Sequence, residues 1–155
     1  MRTPSIRILL VDDFAPWRRL VPAILRGKPE LQVVGEASDG AEAVRKAQEL
    51  QPDLILLDIR LPRLNGIEAA LQIRHLAPRS KILFVSESDS VDVAKEALRA
   101  GGSGYVIKSD AGAELLAAVE AVMLGKGFVS GRLGSAMATE ESRDRTLSRG
   151  SILLP

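Results

Sequence analysis

Five residues carry the chemistry open to this sequence: Asp12 and Asp13, Asp58, Ser86 and Lys108. Each stands where a short apolar run stops. Asp12 and Asp13 follow Ile8-Leu9-Leu10-Val11, and Asp58 follows Leu54-Ile55-Leu56-Leu57. Ser86 follows Ile82-Leu83-Phe84-Val85, and Lys108 follows Tyr105-Val106-Ile107. Three carboxylates brought together repel, and each resists ionisation unless a cation compensates. A hard divalent ion suits such a cluster, and Mg²⁺ takes a few carboxylates plus waters and phosphate oxygens. A lysine adds a point charge suited to a phosphoryl oxygen, and a serine hydroxyl can donate to another. A carboxylate in that setting is a nucleophile toward phosphorus, yielding an acyl phosphate.

Each of these residues also has an ordinary reading. Asp12 or Asp13 alone is a helix N-cap, Asp58 a turn residue, Ser86 a cap or surface hydroxyl, and Lys108 a solvated charge. The joint pattern is what ordinary loops do not explain: acid–acid, acid, hydroxyl and lysine, each after a buried strand.

The elements that must position them are legible as an alternation. Residues 6–11, 31–37, 54–57, 81–85 and 105–107 read as strands, short and rich in β-branched and apolar residues. Between and after them, 15–26, 41–50, 67–76, 91–100 and 113–124 carry apolar residues at helical spacing. In the first helix Trp17, Leu20, Val21, Ile24 and Leu25 mark the inner face. Pro16 suits its first turn, whereas Pro22 predicts a kink or a shortened helix. Five strand–helix units imply a parallel sheet with helices on both faces. In such sheets ligands bind outside the carboxyl ends of the strands, so all five residues converge on one rim.

Composition sets the bounds. Hydrophobic residues are 46% and aromatics only 3% of the 155 residues, so the core is built from Ala, Val, Leu and Ile. The formal net charge of +1 gives no global reason for nucleic-acid binding. The absence of cysteine rules out disulfides and thiolate zinc sites. No apolar run suits a signal peptide or a membrane span, which implies a soluble, cytoplasmic protein with no membrane partner. His75, the only histidine, reads as a surface or capping residue, and Trp17 as packing.

Several stretches together resemble the receiver domain of bacterial two-component response regulators, the CheY-like family. They are Ile8-Leu9-Leu10-Val11-Asp12-Asp13, then Asp53 through Pro62 around Asp58, then Asn65-Gly66, Ser86, and Ala100 through Ser109 around Lys108. The resemblance implies a three-layer α/β/α fold, a doubly wound five-stranded parallel sheet in order 2-1-3-4-5. It implies that Asp58 is the phosphoacceptor for a sensor histidine kinase or phosphotransfer protein. By the same resemblance Asp13 ligates Mg²⁺ directly, Asp12 directly or through water, and Asp58 and the Arg60 backbone carbonyl complete the protein ligands. Lys108 contacts the phosphoryl group. Ser86 and Tyr105 form a switch pair, in which the aromatic ring moves into space vacated by the hydroxyl. Such a domain is a signalling module rather than an enzyme: it catalyses its own phosphorylation and a slow aspartyl-phosphate hydrolysis. An output protein downstream and a homodimer are the other implied partners.

There are departures from the family. Ser109 replaces a common proline after the lysine, a trait of the subgroup often fused to LuxR/NarL-type helix-turn-helix domains. Phe14 stands where polar residues are common, and Arg60 and Ser88 flank the expected path of an attacking water. The receiver is expected over 5–128. Residues 129–155 read as a flexible C-terminal tail with a marginal helix at 138–145, a frayed Ile152-Leu153-Leu154 patch and no recognisable output domain. Direct DNA binding is therefore not expected, and the chain is either a stand-alone receiver or a truncated regulator. Two other classes compete: an aspartate-nucleophile phosphatase, disfavoured because Arg60 stands where a second acid belongs, and a degenerate scaffold, disfavoured by the complete acid set.

Overall fold

The computed structural model describes the backbone of residues 4–153 and the side chains of residues 4–143. Strands β1 (Ile6–Val11), β2 (Leu31–Ala37), β3 (Leu54–Leu57), β4 (Lys81–Ser86), β5 (Gly104–Ile107) and β6 (Phe128–Val129) form one sheet. All pairings are parallel, in the order β2-β1-β3-β4-β5-β6. Helices α1 (Ala15–Leu25), α2 (Gly40–Leu50), α3 (Gly66–Leu76), α4 (Val91–Arg99) and α5 (Ala111–Met123) lie between and after the first five strands, and α6 (Gly131–Leu153) closes the chain.

Side-chain alternation along the strands builds two cores, as a sheet buried on both faces requires. In β3, Ile55 and Leu57 face one core, and Leu54 and Leu56 the other. The first core is closed by small residues of three helices: Ala43 and Ala47 of α2, Ala69 and Ala70 of α3, Ala94 and Ala97 of α4. The second is closed by Trp17 and Val21 of α1 and by Leu115, Ala118 and Val119 of α5. Alanine at the contacts lets these helices lie close to the sheet, which explains a core so poor in aromatics.

Local signals start the helices. Asp39 accepts from the Glu42 N–H at 2.7 Å, Asn65 from the Glu68 N–H at 2.9 Å, and Ser90 from the Val93 N–H at 3.3 Å. Each is an N-cap that satisfies an otherwise unpaired amide. The kink or shortening expected at Pro22 does not truncate α1, which runs on to Leu25. Pro22 lies on the exposed side, where solvent can take up the carbonyl it leaves without a partner.

Two expectations are corrected. The sheet has six strands rather than five, because Phe128–Val129 pairs with Gly104 and Tyr105 at the edge of β5. Two residues carry no readable periodicity, so only this tertiary pairing makes them a strand. Where the sequence predicts irregular chain with a marginal helix at 138–145, the helix is longer, from Gly131 to Leu153. Among its described side chains one is deeply buried, Leu133, which joins the core beneath α4 and β5. One apolar anchor among residues 131–143 leaves no stripe there for a sequence pattern to detect. The side chains of the Ile152-Leu153-Leu154 patch lie outside the described residues.

Candidate metal-assisted phosphoacceptor site

The rim formed by the strand ends gathers the residues singled out above. One carboxylate oxygen each of Asp12, Asp13 and Asp58 falls within a set spanning no more than 4.8 Å. Asp12 and Asp58 are buried, while Asp13 is exposed, so the cluster opens to solvent on one side. Asp12 Oδ1 accepts from the Phe14 N–H at 2.8 Å, and Asp58 Oδ1 from the Ile59 N–H at 2.7 Å. These bonds fix one oxygen of each buried acid and leave the other facing the site.

Lys108 reaches across both. Its Nζ lies 2.7 Å from Asp12 Oδ2 and 3.2 Å from Asp58 Oδ2. It donates a hydrogen bond to Asp58 and forms its closer ion pair with the buried Oδ2 of Asp12. One lysine facing three acids leaves the cluster short of positive charge. Burial pushes the Asp58 carboxyl up to about 6, with Asp12 adding to the rise and Lys108 opposing it. Burial pulls the Lys108 ammonium down, but Asp12 and Asp58 outweigh this and hold it above its ordinary value. An oxygen-only set of three acids with one lysine to balance them fits a hard divalent cation such as Mg²⁺.

The backbone under Asp58 is set by a close approach. Gly66 donates to the Ile59 carbonyl at 2.7 Å, and a Cβ there would lie 2.0 Å from the Asp58 carbonyl oxygen. Only glycine lets the start of α3 pass so near the acid.

Ser86 and Tyr105 are both buried. Ser86 Oγ accepts from the Ser88 N–H at 3.2 Å, and the Tyr105 hydroxyl donates to the Ser88 carbonyl at 2.9 Å. Burial pushes the Tyr105 phenol up, against contacts with Ser86 and Ser88 that lower it. The ring is fully enclosed. Arg60 is exposed on the loop after β3 and lines, with Asp13, Pro62, Asn65 and Glu96, an open groove of 710 Å³.

Sequence reasoning missed three neighbours of the site. The Trp17 ring centroid lies 5.3 Å from Lys108 Nζ, a cation–π distance. Arg18 donates to the Asp12 carbonyl at 2.6 Å. Ser130, assigned to the tail, is fully buried and bonds the end of β5. The helical periodicity of α1 placed Trp17 inward but carried no sign of Lys108, and Ser130 had no signal at all. His75 sits exposed in the last turn of α3, away from these acids.

The comparisons agree with this geometry. Residues 8–120 match the response regulator receiver domain family. The chain is 37% identical over 132 residues to the DNA-binding transcriptional activator DevR/DosR of Mycobacterium tuberculosis, covering 85% of this chain and 61% of that protein. It is 38% identical over 121 residues to the transcriptional regulatory protein LiaR of Bacillus subtilis, covering 78% and 57%. The chain thus spans about three fifths of the length of these curated relatives. Among solved structures, a LuxR-family two-component response regulator from Aurantimonas sp. SI85-9A1 superposes with a TM-score of 0.85 at 36% identity, over 89% of this chain and 99% of that one. Among the described residues no helix is long and apolar enough to cross a membrane. With its strand-end acids, its lysine and its flavodoxin-like sheet, the chain belongs to the receiver domain family of two-component response regulators.

Proposed function

We propose that the chain accepts a phosphoryl group on Asp58 from the phosphohistidine of a sensor kinase or phosphotransfer protein, and that the change alters a protein-binding surface. The observation that carries this reading is the three-acid cluster, two of its members buried, facing the single charge of Lys108.

Asp12, Asp13, Asp58 and the Arg60 carbonyl would hold Mg²⁺. When bound, the ion supplies charge neutralisation for the acids and for the oxygens of the incoming phosphoryl group. Asp58, held by the Ile59 amide, presents Oδ2 toward the open side and attacks phosphorus while the donor's P–N bond breaks. Lys108 exchanges part of its contact with Asp58 for a phosphoryl oxygen and neutralises the charge that gathers there. Ser86 donates its hydroxyl to another of those oxygens. That movement releases its hold on the Ser88 amide, and Tyr105, bonded to the same residue, follows.

The module does not turn over substrate, because Arg60 stands where a hydrolase of this type needs a second acid. Slow self-hydrolysis ends the signal. The receiver unit is 5–128, working in the cytoplasm, with an output protein as partner and a homodimer as an accessible state. Direct nucleic-acid binding is not part of this reading.

The test is intact mass after incubation with Mg²⁺ and a small acyl-phosphate donor. One added phosphoryl group in the wild type and none in Asp58→Asn is expected. An unmodified wild type, or the same gain in Asp58→Asn, overturns the proposal.

A further inference from the structure

The end of β5 is finished by a residue outside the sheet. Strand β6 stops at Val129, having paired only with Gly104 and Tyr105. In a parallel ladder the next residue would donate its N–H to one strand neighbour and offer its carbonyl to the amide two residues further on. Ser130 makes the first bond normally: its N–H donates to the Tyr105 carbonyl at 2.9 Å. It cannot make the second with its carbonyl, because that group accepts from the Gly134 N–H at 2.9 Å and opens α6. The side chain takes the carbonyl's place, and Ser130 Oγ accepts from the Ile107 N–H at 2.8 Å. A serine before a helix ordinarily caps the amides of its own first turn; this hydroxyl is spent on a strand 23 residues away. The residue is fully buried.

The clasped backbone runs from Tyr105 to Ile107, and Lys108 is the next residue. The other side of Lys108 is held from the same place. Arg132 donates to Ser109 Oγ at 2.9 Å and to Asp110 Oδ2 at 3.1 Å, and the Gly131 N–H donates to Glu114 Oε2 at 3.1 Å. The start of α6 therefore brackets the one cation that faces both buried acids.

We infer that Ser130 is a positioning residue for phosphoryl transfer: by completing the β5 ladder with its hydroxyl it sets the backbone from which Lys108 reaches Asp58. The inference rests on the reading of Asp58 as phosphoacceptor and of Lys108 as its charge partner. It also makes the first turn of α6 a part of the site, so that movement of α6 and of Lys108 are linked through the bonds of Ser130 to β5 and of Arg132 to Ser109 and Asp110.

A double-mutant cycle on the full chain tests it. Phosphorylation by a small acyl phosphate with Mg²⁺ is timed for wild type, Ser130→Ala, Lys108→Ala and the double variant. Folding is checked by circular dichroism. Ser130→Cys, of similar volume and weaker acceptor strength, takes the place of Ser130→Ala if that variant does not fold. If Ser130 acts through Lys108, its loss slows the reaction about tenfold when Lys108 is present and has no further effect when Lys108 is absent. A merely structural serine slows both backgrounds by the same factor, and that result, or no slowing at all, overturns the inference while leaving Asp58 as acceptor. A wild type that takes no phosphoryl group fails one level earlier and removes both readings.

Discussion

The two ends of the sheet are built from similar residues and treat charge in opposite ways. At the amino end, Asp53 Oδ2 accepts from the Arg7 N–H at 2.8 Å, and the Arg7 guanidinium donates to the carbonyls of Leu50 and Gln51 at 2.8 and 3.1 Å. Ser80 Oγ donates to the Pro52 carbonyl at 2.5 Å. Polar groups there find backbone partners and lie near solvent. At the carboxyl end, Asp12 and Asp58 are buried against a single lysine that must serve both, with Asp13 beside them. The first end is optimised for stability. The second holds an imbalance that a cation and a phosphoryl group can relieve, and unrelieved polar burial is where a fold departs from its stability optimum.

That contrast can be broken most decisively at Asp58. Asp58→Asn keeps shape and removes the nucleophile, so phosphoryl incorporation measured by intact mass falls to zero. Lys108→Ala is next. It leaves the acids in place but removes the fixed positive charge, and the rate of incorporation falls roughly a hundredfold to a thousandfold, as when a charge-stabilising donor is lost from a reacting centre.

The third prediction concerns pH. Without metal, the folded protein keeps a proton on Asp58 up to about pH 6, while the unfolded chain releases it near the ordinary 3.8. The folded state then binds more protons than the unfolded one in this interval, so stability falls as pH rises through it. Below about pH 4 the penalty is absent, and above about pH 6 it is complete, amounting to about 3 kcal/mol at roughly 1.4 kcal/mol per pH unit of separation. Asp58→Asn should raise stability in urea titrations by about that amount at pH 8 without Mg²⁺ and by nothing at pH 4. Equal stability of the two proteins at pH 8 would show that the acids at the carboxyl end are not frustrated.

The smallest effect belongs to the amino end. Asp53→Ala costs about 1 kcal/mol, the usual net worth of one partly exposed hydrogen bond, and leaves the phosphorylation time course unchanged. A changed time course would mean that the two ends are coupled through the sheet.

Much of this was written locally. The five strand–helix units and the acid, hydroxyl and lysine at the strand ends follow from apolar run length, helical spacing of apolar residues, and the rule that ligands bind at the carboxyl ends of parallel strands. The boundaries moved by only a residue or two because those signals act within a turn of helix. Residues such as Phe128, Val129 and Ser130 were opaque for the opposite reason: their partners lie in β5, and nothing in their own neighbourhood announces them.

By residue type and spacing alone, this chain determined a parallel sheet and a rim of three acids, a hydroxyl and a lysine. Those are properties of short stretches, decided by burial period. Only the tertiary structure decided that Lys108 bridges Asp12 and Asp58, that Trp17 turns its ring to that lysine, and that Ser130 completes the ladder beneath it. Lys108 and Asp58 are 50 residues apart and Ser130 and Ile107 are 23 apart. A hydrogen bond across such separations exists only once the packing of the whole sheet has set both ends.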